Sequence, residues 1–430
     1  MVSQEPLADL RGIIGNWCLE HCRAETVAEA EQIAEQLARA TGAAVVEALV
    51  PMSGGKASYQ GSRRACGCGA RAKFMGYRER GVGTLYGVVT VSRAYYHCRQ
   101  CGQGQLPWDA EPGLNPRLWT PRVKALVTQV AARLSYQESV DLLYQTLGFE
   151  MEDSSADEVV AEVGGRLRAQ QTALMGEYER GEVRPLVAPA PRRLYVGMDG
   201  TSAHIDGRWH EVKTGVVFEG QADEEGVDRA VRQRYVAAQE SSEPFGSRLY
   251  MLAAQAGVEW AGERVVIGDG ADWIWNVANH HYPGATQVVD YWHACQHIHA
   301  LGKAYYGEGS VQGQRWAREH CRGLKQKGPG KLLGALARMK PRTAEQAEAV
   351  RLERGYFRRN RRRMEYRQFR AAGLMIGSGP VEAACKVVVG QRLKRAGMRW
   401  SGPGADAVLA ARAALLSGQT DLIAQAARAA

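Results

Sequence analysis

The feature that most constrains the fold is a series of short strand-like segments between residues 194 and 290. They read LYVGMD, EVKTGVVFE, RQRYVAA, RVVIGD and ATQVVD, and each is rich in β-branched or aromatic residues. A turn-like DGR at 206–208 joins the first two segments. One helical pattern precedes the fourth segment, and another, ended near Pro283, separates the fourth from the fifth. The sequence therefore predicts three meandering strands followed by a β-α-β unit.

This strand order is that of the ribonuclease-H-like fold, in which right-handed crossovers put the ends of the first and fourth strands side by side. Asp199 closes the first segment and Asp269 closes the fourth. Ligands of α/β sheets bind outside the carboxyl ends of strands. Each aspartate precedes a glycine, however, and Asp-Gly is also common turn chemistry. Two such carboxylates and a third acid are suited to hold two divalent ions about 3.5–4 Å apart for phosphoryl transfer.

Glu382 is the candidate third acid. It follows a stiff segment that contains Gly377, Gly379 and Pro380, which favours the start of a helix. Glu382 would then lie in the first helical turn, where a carboxylate also stabilises the helix in its own right. The acid is therefore either the last member of a metal-binding triad or a favourable helix-terminal charge.

Several long strings resemble the DDE transposases of bacterial insertion sequences. They are YVGMDGTSAHI, EVKTGVVFE, VVIGDGADWIWNVANHHYPGATQVVDYWHACQHI and GLMIGSGPVEAACKVVVGQRLKRAGMRWSGPGA. The resemblance is to the Kra-type group in particular, whose active site is similar to that of Mutator-like elements, and it extends over most of the chain. It implies a ribonuclease-H-like catalytic core with Mg²⁺ or Mn²⁺ on the triad Asp199, Asp269 and Glu382. It also implies an all-helical insertion over residues 294–373.

Asp290 is a rival for the second acid, because it also closes a strand-like segment. Related superfamilies carry a Cys/His-x-x-His element after the second Asp, and here the element reads Asp290-Tyr-Trp-His293. Asp290 and His293 are suited to bind DNA phosphate, to tune a metal-bound water or to brace the sheet edge. His293 and His297 are four residues apart on a predicted helix, which leaves open a metal site or a supporting role for His297.

Cys66-x-Cys68 and Cys98-x-x-Cys101 form a second candidate site. A hairpin that brings the two pairs together would offer four thiolates to a tetrahedral structural Zn²⁺ in a zinc-ribbon-like module. The CxC spacing is tighter than the usual CxxC, His97 is an alternative ligand, and unligated buried cysteines are the plain alternative. The clustered and odd number of cysteines indicates a reducing compartment rather than a disulfide framework.

The segment RGYFRRNRRRMEYRQFR at 354–370 concentrates arginines with interleaved aromatic residues. Guanidinium groups bind phosphate as planar forks and stack on bases, so the segment predicts a DNA-binding surface, with a solvated helix face as the alternative. The chain carries 55 Lys+Arg against 46 Asp+Glu, which agrees with a polyanionic partner. The predicted DNA contacts are Arg358, Arg359, Arg361, Arg362, Lys386, Lys394 and Arg395.

Shifts in composition predict a multidomain α+β and α/β chain. The predicted regions are a helical region and linker (1–63), the zinc-ribbon-like module (64–112), a helical region that suits a helix-turn-helix or a plain bundle (113–190), the first part of the core (191–293), the insertion (294–373), the last part of the core (374–418) and a frayed tail (419–430). No apolar stretch is long enough for a membrane helix and no secretory signal is evident. Together with the resemblance to bacterial insertion-sequence transposases, this predicts a bacterial cytoplasmic protein that is associated with the nucleoid when bound to DNA.

The resemblance implies a mobile-element enzyme that performs Mg²⁺-dependent strand cleavage and strand transfer during DNA transposition and recombination. Its expected partners are the terminal inverted repeats of the element, target DNA and a second copy in a homodimer. Two alternatives stay open: a sequence-specific DNA-binding protein without catalysis, and a hydrolytic nuclease of the same fold. Three intact acids argue against the first, and the long insertion argues against the second.

Overall fold

The computed structural model describes residues 4–49, 57–110, 119–182 and 190–428, a mixed α+β structure with two sheets. The chain divides into two compact units. One comprises Met1–Leu126, Val140–Glu152 and Ala427–Ala430, and the other comprises Val127–Ser139 and Asp153–Ala426. The predicted boundary at residue 112 and residues 51–56 of the linker that precedes the cysteine module lie outside the described residues.

The first unit contains a four-stranded antiparallel sheet. Its elements are helices α1 (Gln4–His21) and α2 (Val27–Leu49) and strands β1 (Arg63–Ala65), β2 (Arg71–Thr84), β3 (Gly87–His97) and β4 (Gly104–Gln105), which pair in chain order. The long β2–β3 hairpin closes at Gly87, whose φ of 101° favours glycine. Val82, Val89 and Trp108 belong to its apolar core. The β-rich character predicted for residues 64–110 is confirmed.

Three helices follow: α3 (Pro121–Ala131), α4 (Tyr136–Leu147) and α5 (Asp153–Glu179). The helical character predicted for this region is confirmed, and the structure has a break in it before Tyr136. Ser135 and Glu138 form a capping box there. The Ser135 hydroxyl accepts the Glu138 N–H at 3.2 Å, and a Glu138 carboxylate oxygen accepts the Ser135 N–H at 2.8 Å.

The second unit is built on a five-stranded sheet. Its strands are β5 (Arg193–Ile205), β6 (Arg208–Ala222), β7 (Asp228–Ala238), β8 (Glu263–Gly268) and β9 (Thr286–Val289), in the order β7-β6-β5-β8-β9. β5, β6 and β7 are antiparallel, whereas β5–β8 and β8–β9 are parallel. Helices α6 (Ser242–Gln255) and α7 (Asp272–His281) connect the last three strands. The predicted meander, β-α-β unit and adjacency of the first and fourth strands are confirmed.

The rest of the described chain is helical. The helices are α8 (Tyr291–Tyr306), α9 (Val311–Lys327), α10 (Gly330–Arg338), α11 (Ala344–Arg359), α12 (Tyr366–Ala371), α13 (Gly379–Ala384), α14 (Gln391–Leu393), α15 (Gly402–Leu416) and α16 (Thr420–Arg428). The helical character predicted for residues 294–373 is confirmed. The prediction of a frayed tail is wrong, because α16 buries Ile423 completely. No described helix combines the length and apolar character that a membrane span requires.

Candidate functional site

Asp199 and Asp269 occupy equivalent positions on two adjacent parallel strands. The last paired residues of β5 and β8 are Gly197 and Ile267, and each aspartate lies two residues further along its own strand direction. Asp269 directly follows β8, but β5 continues to Ile205, so Asp199 lies inside its strand. The prediction that Asp199 closes its strand is therefore wrong. The predicted neighbourhood of the two strands, however, brings the two aspartates to the same level of the sheet.

The glycines that follow the two aspartates differ in role. Gly270 has a φ of 107°, which favours glycine, and a Cβ there would lie 2.7 Å from the Tyr356 ring. Gly200 lies within β5 and pairs with Lys213 of β6. Turn chemistry therefore accounts for the Asp269-Gly270 pair alone.

The carboxylate of Asp199 is partly buried among polar groups. Its Oδ1 accepts the Gly200 N–H at 2.7 Å, and the Cys385 Sγ lies 3.6 Å from its Oδ2. Burial raises the pKa of Asp199 and the nearby charge of Asp269 raises it further, against the lowering effect of these hydrogen bonds and of His293. A cation bound between the two aspartates would offset their repulsion.

Helix α13 brings Glu382 to the same part of β5. Val381 packs so closely on Gly197 that a Cβ at position 197 would lie 2.3 Å from Val381 Cγ2. Glu382 is exposed in the first turn, and Cys385, which contacts Asp199, follows three residues later on the same helix face. The helix continues as a π-helical segment over Cys385–Gly390, a feature that is frequent at functional sites.

The three acids do not form a compact ligand cluster. Within the described ranges, one group of three or more Cys, His, Asp or Glu residues has all its ligand atoms within 4.8 Å of one another. That group consists of four cysteines and contains none of the three acids. Mg²⁺ binds oxygen ligands and commonly takes one or two carboxylates together with water and substrate phosphates. The carboxylates of the three acids have the donor chemistry that Mg²⁺ or Mn²⁺ prefers, but a site built on them would need further oxygen ligands.

Asp290 is a bracing residue in this structure. Its side chain is 1% exposed and caps α8, because Oδ1 accepts the His293 N–H at 2.5 Å. Oδ2 accepts the N–H of Ser378, in the turn before α13, and the Asp290 N–H donates to the Gly268 carbonyl at 2.8 Å. With both oxygens occupied by backbone donors, Asp290 ties the end of β8 and the start of α8 to the turn that leads to Glu382.

His293 belongs to a chain of side chains that leads into the helical region. Its Nε2 lies 3.2 Å from Nε2 of His297, whose Nδ1 lies 2.8 Å from a Glu353 carboxylate oxygen. The His297 ring stacks on Tyr356 with centroids 3.9 Å apart, and the Tyr356 hydroxyl donates to the Asp269 carbonyl at 2.8 Å. Glu353 thus orients His297, which supports the predicted supporting role for that histidine.

The four predicted zinc ligands lie together at one end of the first unit's sheet. Cys66 and Cys68 lie between β1 and β2, and Cys98 and Cys101 lie between β3 and β4. The Sγ atoms are 3.6 Å apart for Cys66–Cys101 and 3.7 Å apart for Cys68–Cys98. Hydrogen bonding, chiefly from the backbone of Cys101, lowers the pKa of Cys98 to about 6 although burial opposes it. This cluster can hold a metal such as zinc, and His97 is not part of it.

The four predicted phosphate-binding arginines border one groove of about 780 Å³ beside β9. Arg358 and Arg359 end α11, and Arg361 and Arg362 lie in the 3₁₀ turn that follows. All four are exposed, and none forms an ion pair or a side-chain hydrogen bond with another described residue. They are therefore available to an external anion.

The neighbouring Arg363 has a different role. It donates to Gln287 Oε1 at 2.7 Å and to Asn360 Oδ1 at 3.0 Å, and its guanidinium lies 4.4 Å from the Trp275 ring centroid. Most of the aromatic residues that are interleaved with these arginines do not belong to the exposed surface. Three are buried in the core: Tyr356, Phe357 and Tyr366.

The three cations after Glu382 differ in availability. Lys386 is exposed, and Lys394 donates to Thr201 Oγ1 at 2.5 Å. Arg395 forms a bidentate pair with Glu138 at 2.5 and 2.6 Å. Arg395 therefore already has an anionic partner within the chain, whereas Lys386 has none among the residues that the structure describes.

The structure adds residues that sequence reasoning missed. Cys385 had a local signal, because it lies one helical turn after Glu382. Glu353 had none, since it lies 56 residues from His297 in the chain. Trp292 was visible within the DYWH string, but its 61% exposure beside the site was not.

Comparison with known proteins gives a family but no named relative. The chain matches no curated protein. The model of a family described as "Uncharacterised protein family (UPF0236)" matches residues 69–424, which is most of the chain. The matched range contains all three acids, and it contains Cys98 and Cys101 but not Cys66 and Cys68. The chain therefore belongs to the UPF0236 family.

Proposed function

We propose that this chain is the DDE transposase of a bacterial insertion sequence, a polynucleotidyl transferase with a ribonuclease-H-like core. The observation that carries the proposal is the equivalent position of Asp199 and Asp269 on adjacent parallel strands, with the helix of Glu382 packed against β5. The sheet order β7-β6-β5-β8-β9 agrees with the order expected for that fold.

The three acids would hold Mg²⁺ or Mn²⁺. When bound, such ions activate an oxygen nucleophile and stabilise the charge that develops at the phosphate. The residues of the chain would supply position and charge: Asp199 and Asp269 from the sheet, and Glu382 from a helix whose start Asp290 fixes. No covalent protein–DNA intermediate is required, because positioning and electrostatics account for catalysis of this kind.

DNA would bind through basic surfaces of the second unit. The exposed arginines of the 358–362 groove have no partner within the described residues, and such cations bind phosphate in a sequence-independent way. We assign recognition of the terminal repeats and dimerisation to the cysteine module and the N-terminal helices. This combination would serve transposition of the element within the bacterial cytoplasm.

Incubation of the full-length protein with duplexes that carry the ends of its own element tests the proposal. We expect Mg²⁺-dependent nicking at the ends, and joining of pre-cleaved ends to a target plasmid. Asp199→Asn, Asp269→Asn and Glu382→Gln should each abolish both reactions while DNA binding persists. Asp272→Asn is the matched control, because this exposed aspartate lies in α7, three residues after Asp269.

The other outcomes separate the alternatives. Nicking without joining would indicate a hydrolytic nuclease. Specific binding without nicking would indicate a DNA-binding protein without catalysis. Activity that survives Asp269→Asn but is lost in Asp290→Asn would exchange the roles of these two acids.

A further inference from the structure

A second basic groove, of about 700 Å³, lies between α8, α9 and the end of α12. Four cations line it: Arg318, Arg322, Lys325 and Arg370. None of them forms an ion pair with another described residue, and no acidic side chain of the described ranges lines the groove. The groove is therefore a concentrated positive surface that no described residue neutralises.

An exposed indole lies in the same groove. Trp292 is 61% exposed, although one part of its ring is held by neighbours. Its ring meets that of Tyr291 edge-on at 5.1 Å between centroids, and a Cβ at Gly377 would lie 3.3 Å from its Cδ1. The Lys325 ammonium lies 5.4 Å from the centre of the Tyr291 ring. The indole is thus fixed in position and still offers aromatic surface to a ligand.

The groove opens beside the strand ends that carry the candidate active site. Trp292 lies between Asp290, which ties α8 to the turn before α13, and His293, whose N–H donates to Asp290 Oδ1 at 2.5 Å. We propose that this groove binds an unpaired strand of DNA next to the reacting phosphate, with Trp292 stacked on a base and the four cations on the backbone. The inference rests on the proposed function and deepens it.

The chemistry of the two basic grooves separates their ligands. The groove of Arg358, Arg359, Arg361 and Arg362 is lined chiefly by arginines, and the aromatic residue that borders it, Phe369, is partly buried and packs against the core. Such a surface suits the phosphates of a duplex, whose bases are already stacked. A fixed, exposed indole among cations suits unpaired nucleotides, since every free base has a π-face that can stack.

Binding of full-length protein to two DNA probes in the presence of Ca²⁺ tests the inference. One probe is a blunt duplex of random sequence, and the other is the same duplex with a single-stranded 3′ extension that contains a fluorescent adenine analogue. Trp292→Ala should weaken binding of the extended probe by about 5- to 150-fold, the range typical when one base no longer stacks on an aromatic ring, and should restore the fluorescence that stacking quenches. Binding of the blunt duplex should change little. Trp292→Phe should retain most of the effect, and Trp260→Ala, which removes an indole 56% exposed outside the groove, should behave like the unmodified protein.

Charge provides a second readout. Arg322→Gln with Lys325→Gln should flatten the salt dependence for the extended probe by roughly 0.7 for each single-strand phosphate that the variant no longer neutralises. Equal losses on both probes would mean that the groove binds duplex backbone. Unchanged binding of the extended probe by Trp292→Ala would mean that the indole does not stack. Either result overturns the inference while the proposed function stands. If the unmodified protein binds neither probe, the proposed function itself fails.

Discussion

The thiol of Cys385 lies 3.6 Å from Oδ2 of Asp199, so the helix that carries Glu382 is joined to the strand that carries the first acid. Burial raises the pKa of the Cys385 thiol to about 12, and the charge of Asp199 adds to this effect. The thiol therefore stays protonated at neutral pH and can donate to the carboxylate. The relative position of two proposed ligands thus depends on packing between α13 and β5, and this dependence can be tested without changing either acid.

Gly197→Ala should lower nicking activity, because the new Cβ would lie 2.3 Å from Val381 Cγ2 and push α13, with Glu382, away from β5. Overpacking of this kind costs about 1–3 kcal/mol of stability. The double variant Gly197→Ala/Val381→Ala should recover much of the activity, because the shorter side chain makes room for the new methyl group. Gly379→Ala is the control, since a Cβ there meets nothing within 4 Å. Failure of the double variant to regain activity in the nicking assay would contradict this coupling.

Asp290→Ala should destabilise the protein more than Asp199→Ala or Asp269→Ala does. Its loss leaves the N–H groups of His293 and Ser378 without their acceptor in a buried site, which costs about 1–3 kcal/mol. The free energy of unfolding from urea titration is the measurement. Equal stability of the Asp290 and Asp269 variants would contradict the bracing role.

The order of the large sheet could be predicted because each strand and turn has a local pattern and the crossover rule then restricts the topology. Local patterns did not reveal that β5 continues past Asp199, since that extension depends on pairing with β6. The break at Ser135 did have a local signal, but the apolar period that continues across it obscured the capping box. The Glu353–His297 contact joins two helices, and neither helix carries a pattern that indicates the other.

Arg395→Gln should lower stability at neutral pH rather than DNA affinity. Pairing with Arg395 lowers the pKa of Glu138 from its ordinary 4.5, so the pair contributes stability above that value and loses it as the pH falls through the lowered pKa. The variant should therefore be less stable than the unmodified protein at neutral pH, and the difference should vanish in strong acid. The effect should be small, because both side chains are more than a third exposed. Urea unfolding at a series of pH values measures it. A marked loss of DNA affinity would instead restore the predicted DNA contact.

Zinc should be bound by the cysteine cluster and not by the acids. Elemental analysis of purified protein should find about one zinc per chain, because four clustered thiolates form a closed structural site. Cys98→Ser/Cys101→Ser should lose the metal and with it solubility or recognition of the element's ends, since metal binding is coupled to folding in so small a module. Cys22→Ser, which changes a cysteine just after α1 and outside the cluster, should keep the metal. Metal-free protein that still recognises its ends would refute the structural role.

Replacement of Arg358, Arg359, Arg361 and Arg362 by Gln should weaken binding to specific and random DNA about equally. These side chains are exposed and have no partner among the described residues, so we expect them to neutralise phosphates and release counterions. The slope of log affinity against log salt should flatten by roughly 0.9 for each duplex phosphate that is no longer neutralised. The helix should persist, since Gln is nearly as good a helix former as Arg.

Arg363→Gln is the matched control in the same segment. Because Arg363 is held by Gln287, Asn360 and Trp275, its replacement should lower stability and leave the salt slope unchanged. A quadruple variant with an unchanged slope would show that the four arginines only face solvent. Weaker binding confined to the element's own ends would show that they read bases.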